Sequence, residues 1–268
     1  MQPQTLTADT PLLETIKVSK AFGAFRALND ISFSVHDGEF VSIVGPNGAG
    51  KTTLVNVVTG LLRPTSGEVR FLGRDIRGIG PVELARLGMS RAFQLVNIFP
   101  ALTVRETLGV AIASRLRRVS NPFRSLRRDG VLQEDAERVA DVLGLKAKLD
   151  KIASTLSQGE KKLLDIASAF ALNPAVILLD EPTSGVSTGD KHAIMEVLVA
   201  AARVAGIRAI VQVEHDMDLV ERYSHRIVAL QGGSLLADMA PGAFFADPAM
   251  IAAVVGTRIE TLKKPLPC

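Results

Sequence analysis

The chain has 268 residues, 47% hydrophobic and 22% charged, a balance that fits one large globular domain or a core with a subdomain and excludes a disordered chain. A net charge of +3 is too small to imply nucleic acid, and the single cysteine, Cys268, excludes an internal disulfide and a cysteine metal cluster, which fits a reducing compartment. The opening MQPQTLTADTPLL carries no basic segment ahead of an apolar run, so no signal peptide is expected. The longest uncharged stretch, Ile166 to Leu179, is broken by Asn173-Pro174 and falls short of the roughly 20 apolar residues of a spanning helix.

The stretch to about Val35 alternates polar and apolar residues, as in SFSV at Ser32–Val35, and predicts antiparallel strands. Phe40–Val44 (FVSIV) predicts a buried strand that enters a glycine-rich turn. Beyond the turn, Leu54, Val57, Val58 and Leu61 recur at helical spacing. From Leu95 to about Thr155 the periodicity is mainly helical, which predicts a helical subdomain. Inside it Arg115, Arg117, Arg118, Arg124, Arg127 and Arg128 crowd a segment containing Asn121-Pro122, either a solvated loop or a basic patch facing anionic headgroups or an acidic partner.

Ala175–Leu179 (AVILL) predicts a second buried strand, ending at Asp180-Glu181. Ile210–Val213 predicts a third, ending at Glu214-His215 after an apolar-faced helix around Ile194, Val197, Leu198 and Ala201. Uniformly apolar strands alternating with helices predict a parallel sheet covered on both faces. Ile227–Leu230 and Ser234–Ala237 flank Gln231-Gly232-Gly233, a hairpin pattern.

Two of these strand ends carry chemistry. GPNGAGKT at Gly45–Thr52 satisfies G-x-x-x-x-G-K-[ST], with an apolar strand before it and an amphipathic helix after it, where a chance glycine-rich turn would lack both flanks. Gly45, Gly48 and Gly50 let the backbone curl so that N–H groups point at phosphate oxygens, and the helix adds its positive end. Pro46, Asn47, Ala49 and Thr53 complete the candidate phosphate-binding stretch. Lys51 is placed to bridge the β- and γ-phosphates and Thr52 to ligate Mg²⁺. Asp180 and Glu181 stand where ligands bind in open parallel sheets, Asp180 assigned to Mg²⁺ and Glu181 to the general base. Alone, two acids at a strand end often mark only the polar start of a loop.

Further residues resemble the ATPase subunit of ABC transporters over nearly the whole chain. LSQGEKK at Leu156–Lys162 looks like that family's signature sequence, and AVILLDEP at Ala175–Pro182 like its second nucleotide motif. Gln94 in RAFQ matches its Q-loop glutamine, His215 in VEHDM its switch histidine, and Thr183–Asp190 its D-loop. Phe22 in KAFG lies where the family places an adenine-stacking aromatic, with Phe25 a rival and a core-strand ring the plain alternative for both. SKAFGAFRAL, the arginine-rich insertion, VEHDM and the ending DPAMIAAVVG are similar to the ATPases of branched-chain amino acid importers.

The resemblance implies an α/β fold: a P-loop NTPase (RecA-like) core with a mainly parallel sheet, an N-terminal antiparallel β-subdomain and an α-helical subdomain. It implies a single nucleotide-binding domain over 10–268, with the helical subdomain at about 95–160 and a C-terminal tail at about 240–268. It implies ATP and Mg²⁺, with Thr52, Gln94 and Asp180 toward the metal and Glu181, His215 and Gln94 around the γ-phosphate. Ser157 with Glu160 forms an S-x-x-E capping box on its own residues. The family adds that Ser157, Gly159 and Glu160 would meet ATP held by a facing second ATPase subunit, identical or homologous. Transmembrane permease subunits and a solute-binding protein are the other implied partners, and the implied location is peripheral, on the cytoplasmic face of the inner membrane. Export rather than import stays open on the motor alone.

Three positions depart from the family pattern: Gln158 replaces the first glycine of LSGGQ, Ser187 stands where the D-loop commonly has aspartate, and the adenine platform would be phenylalanine rather than tyrosine. An ABC ATPase acting on DNA or ribosomes would carry a coiled-coil insertion or a tandem domain, and this chain has neither. A P-loop kinase or GTPase would leave LSQGE, Gln94 and His215 unexplained, and there is no NKxD tetrapeptide.

Overall fold

The computed structural model describes residues 10–92, 99–118 and 129–255. The chain divides into two units, one built from the residues up to Gly78 with those from Val213 onward, the other from Ile79–Gln212.

The first unit begins with the hairpin β1 (Leu13–Phe22) and β2 (Phe25–Val35), antiparallel as the alternation predicts, with Leu13 opposite Val35 and Phe22 opposite Phe25. On its other edge β1 pairs antiparallel with β4 (Ser66–Phe71), which turns into the two-residue β5 (Arg74–Asp75). Strand β3 (Phe40–Val44) matches its expected bounds, and all five residues are buried. It runs parallel to β9 (Arg226–Gln231), Val44 opposite Ala229, and β9 folds back into β10 (Ser234–Met239). The turn between them has positive φ at both Gly232 and Gly233, 55° and 80°, as a two-residue hairpin turn matched to strand twist requires.

Helix α1 (Lys51–Val58) follows β3 and buries Leu54, Val55, Val57 and Val58. Val44, Ile227 and Ala229 meet Val220 of α7 (Met217–Tyr223), Phe244 of α8 (Pro241–Ala246) and Val254 of α9 (Pro248–Val255) in one apolar cluster. The C-terminal stretch therefore packs over the strand that delivers the glycine-rich loop.

The second unit holds α2 (Pro81–Leu87), β6 (Met89–Ala92), α3 (Val104–Arg115), α4 (Gly130–Val142), α5 (Gln158–Phe170), β7 (Val176–Asp180), α6 (Thr188–Val204) and β8 (Ala209–Val213). β6 and β7 are parallel, Arg91 opposite Leu178, and β8 flanks β7 on its other side. Every residue of β7 and β8 is buried, which explains their mainly apolar sequences, Gln212 and Asp180 being the polar exceptions. Asn173, at φ 53°, closes α5 ahead of Pro174 and turns the chain toward β7.

Between β6 and α5 the described elements are helical, as the periodicity predicts. A Thr103–Glu106 capping box starts α3, and the Asp129 carboxylate accepts the Val131 N–H to start α4. Arg115 pairs with Asp135, and Arg118 donates to both oxygens of the buried Asp129 at 2.9 Å. Two of the six clustered arginines thus tie α3 to the start of α4 rather than facing an outside anion. Arg117 is exposed; Arg124, Arg127 and Arg128 lie outside the described residues.

Candidate active site

The loop between β3 and α1 is shaped by what surrounds its glycines. Gly45 has φ 150°, and a Cβ there would lie 2.3 Å from the Leu230 carbonyl oxygen. Gly50 has φ 100°, and its Cβ would meet the Ala27 carbonyl oxygen at 2.7 Å and Leu28 Cδ2 at 2.9 Å. Gly48, at φ 81°, has open space around it, so its requirement comes from the backbone alone. The loop therefore sits on β9 and β2 with no room for side chains beneath it.

Lys51 folds back over this loop, Nζ donating to the carbonyls of Gly45 at 2.6 Å and Pro46 at 3.0 Å. Gly50, as N-cap, offers no side chain to the first N–H groups of α1, and the first turn contains no acidic residue. A helix start of this kind, with a lysine above it, provides donors and positive potential for phosphate oxygens. Asn47, Gly48 and Thr52 are exposed and Thr53 half-buried, whereas Pro46 and Ala49 hold the turn, the Ala49 N–H donating to the Pro46 carbonyl.

His215 belongs to the same unit. The Glu214 N–H reaches the Ile43 carbonyl at 3.4 Å, which sets His215 beside the end of β3. The buried Glu214 carboxylate accepts the backbone N–H groups of His215 at 3.0 Å and Asp216 at 3.2 Å, fixing the turn while the His215 ring stays exposed. Glu214 was not singled out from the sequence; a carboxylate directly after a mainly apolar strand was the available signal. Phe22 and Phe25 are 48% and 65% exposed, so neither ring is a core residue, and the Lys20 ammonium lies 5.1 Å above the Phe22 ring.

In the second unit Asp180 is the last residue of β7 and is 3% exposed. Its Oδ2 accepts from an Arg91 guanidinium nitrogen at 2.6 Å, a pair buried on both sides. Sequence reasoning missed Arg91 as well, although an arginine in the short strand ahead of Gln94 was visible. Glu181 follows with φ 51°, a left-handed conformation that costs energy for a non-glycine residue ahead of proline, and its carbonyl accepts the Ser184 N–H at 3.1 Å. The chain turns sharply there, leaving the Glu181 side chain half-buried at the strand end.

Ser157 caps α5: the Glu160 N–H donates to its Oγ at 3.3 Å, and its own N–H donates to Glu160 Oε2 at 2.8 Å. That backbone bond, with the Lys148 ammonium 3.1 Å from Oε1, holds the Glu160 carboxyl below its ordinary value of 4.5. Gln158 is exposed, and a Cβ on Gly159 would meet nothing closer than Ile194 Cδ1 at 3.8 Å. Ser187 precedes α6 and donates from Oγ to Asp190 at 2.6 Å. Gln94 lies outside the described residues.

The donor types present suit a hard divalent ion. The Asp180 carboxylate has lone pairs beyond the one that Arg91 takes, and the Thr52 hydroxyl is exposed in the first turn of α1.

The strand, glycine loop and lysine-bearing helix start of the first unit are those of a P-loop protein, and the second unit carries an acidic strand end. The ABC transporter family matches residues 28–184, and the chain belongs to that family. Among its relatives is the high-affinity branched-chain amino acid transport ATP-binding protein LivG of Salmonella typhimurium, 34% identical over 253 residues that cover 92% of this chain and 98% of LivG. Of solved structures, the ADP conformation of MJ1267, an ATP-binding cassette of an ABC transporter, matches with a TM-score of 0.80 at 31% identity, covering 92% of this chain and 99% of that one. A dimeric post-hydrolysis state of the cassette MJ0796, bound to ADP and Pi, matches at a TM-score of 0.71 and 25% identity, over 85% of this chain and 98% of that one. The chain is thus an ABC-type ATPase, and the expected α/β architecture with its antiparallel N-terminal sheet is present.

Proposed function

We propose that the chain is the ATP-hydrolysing subunit of an importer of branched-chain amino acids, working on a separate transmembrane permease. Its similarity to LivG across nearly the full length of both proteins carries this reading. A permease partner also suits the chain itself, since no helix among the described residues is long and apolar enough to cross a membrane. In this reading 10–268 acts as one nucleotide-binding domain, peripheral on the cytoplasmic face, and a solute-binding protein delivers the amino acid.

The chemistry follows from the chain's own groups. Backbone N–H groups of Gly45–Thr52 hold the phosphates, and Lys51 moves from the carbonyls of Gly45 and Pro46 onto the β- and γ-phosphate oxygens. Bound Mg²⁺ would neutralise charge building on those oxygens, held by Thr52, Asp180 and, through Gln94, the lytic water shell. Glu181 accepts the proton of the attacking water, and His215 contacts the γ-phosphate. Phe22 stacks on adenine.

Ser157, Gly159 and Glu160 complete the site of a facing subunit. The space around Gly159 supports this role. Among the described residues the nearest atom to a Cβ there would be Ile194 Cδ1 at 3.8 Å, which leaves the backbone open to approach by another chain. Two subunits then close around two ATP molecules, and the closure drives the permease.

Purification of the chain from its native membrane tests the assignment. A multi-span permease should copurify, and vesicles holding the complex should take up labelled leucine, isoleucine or valine only with ATP present. Recovery with ribosomes or DNA, or ATP-driven efflux, would contradict it.

A further inference from the structure

Arg91 has no part in the hydrolysis scheme above, yet it donates a hydrogen bond to Asp180, the most buried carboxylate at the strand end. The Arg91 side chain is 8% exposed and that of Asp180 3%, so the guanidinium is placed in a largely dry setting. In the β6–β7 register Arg91 stands opposite Leu178. Side chains two apart on a strand share a face, so Leu178 and Asp180 point the same way. The arginine therefore reaches diagonally along β7, two residues toward its carboxyl end, to meet Asp180 Oδ2 at 2.6 Å.

Burying a carboxylate as deeply as Asp180 is costly unless a cation pairs with it. Without metal, that cation is Arg91. A divalent ion approaching the same carboxylate must share it with the guanidinium, and two positive charges converging in a low-dielectric setting repel.

We propose that Arg91 is a positioning residue that serves as the counter-cation of Asp180 in the metal-free subunit and competes with Mg²⁺ for it. It holds the carboxylate in place before nucleotide arrives, and it raises the Mg²⁺ concentration needed to load the site. This rests on the assignment of Asp180 to the metal.

The test is calorimetric binding of ADP to the full-length chain, with Mg²⁺ and with EDTA, the ratio of the two affinities measuring what the metal adds. Arg91→Gln and the apolar Arg91→Met should raise that ratio, by about tenfold for a coupling of ordinary size. Arg91→Lys, which keeps the charge, should stay within about threefold of wild type on the same scale. Without ligand, Arg91→Gln should melt earlier than wild type, and Mg²⁺ with ADP should restore more of its stability.

Asp180→Asn should collapse the ratio, and adding Arg91→Gln to it should change nothing further. An unchanged or lower ratio in Arg91→Gln and Arg91→Met, with Asp180→Asn still collapsing it, would overturn the role of Arg91 alone. A lysine variant that behaves like glutamine would place the effect in packing and overturn it too. A ratio untouched by Asp180→Asn would instead overturn the metal assignment beneath it.

Discussion

The backbone N–H of Gly233 donates to the Ala49 carbonyl at 3.2 Å, so a hairpin turn more than 180 residues along the chain holds the far side of the phosphate loop. The carbonyl of Gly233 accepts in turn from the Asn29 N–H at 2.8 Å. A Cβ on Gly233 would lie 2.7 Å from the Ala27 carbonyl oxygen, at a φ of 80°. Gly233→Ala should therefore loosen the loop from beneath, costing about 1–3 kcal/mol of stability. Nucleotide affinity should fall with it, although the side chain touches no phosphate. Thermal melting and ADP binding on the same preparation check this.

Lys51→Ala should leave the fold standing, since the amine's bonds to the Gly45 and Pro46 carbonyls stay within the loop itself. ATP affinity should drop by about 10- to 100-fold, the equivalent of one charge-assisted contact at roughly 1.5–3 kcal/mol. Equilibrium binding of a fluorescent ATP analogue reads it directly, and unchanged affinity would remove Lys51 from the phosphate site.

Gly159→Ala separates a requirement within the subunit from one outside it. The helical φ of Gly159 is ordinary and the nearest atom to a Cβ is 3.8 Å away, so the melting temperature should hold or rise slightly. Hydrolysis should fall at least tenfold if a facing subunit must approach the backbone there. Loss of stability in step with activity would sink that interpretation.

Acid should weaken the start of α5. The Glu160 carboxyl is held below 4.5 by the Ser157 N–H and Lys148, so its contribution is complete above that value and is lost as pH falls through the lower folded one. Glu160→Gln keeps the capping geometry and removes the charge. Its stability relative to wild type should narrow as pH drops below about 4.5, with melting curves between pH 3 and 7 as the readout.

Burial made much of this legible in the sequence. Phe40–Val44 could be read to the residue because a strand buried on both faces is mainly apolar along its length, Ser42 being the one polar residue. The 175–179 strand was off by one residue at each end, beginning at Val176 and ending at Asp180, and the 210–213 strand by one at its start, where Ala209 continues the ladder. β4 and β5 went unread: β4 is only partly buried, so its pattern is diluted, and two residues of β5 carry no period. The loop, strand end and cap could be placed because each is local. Arg91 with Asp180, Glu214 with the His215 turn, and Gly233 with Ala49 are pairings that only the folded chain defines. The arginine cluster read as a charge run, but Asp129 and Asp135 give Arg115 and Arg118 a local role that spacing alone does not reveal.

In the proposed mechanism each phosphate loop is half a site, closed by a second subunit and emptied when Glu181 activates water. Glu181→Gln keeps the size of the side chain and removes its basicity, so ATP should bind and persist. Light scattering of that variant should give a dimer with ATP and a monomer with ADP, with turnover at least about 100-fold below wild type. A variant that stays monomeric with saturating ATP, or hydrolyses it at the wild-type rate, would contradict the account.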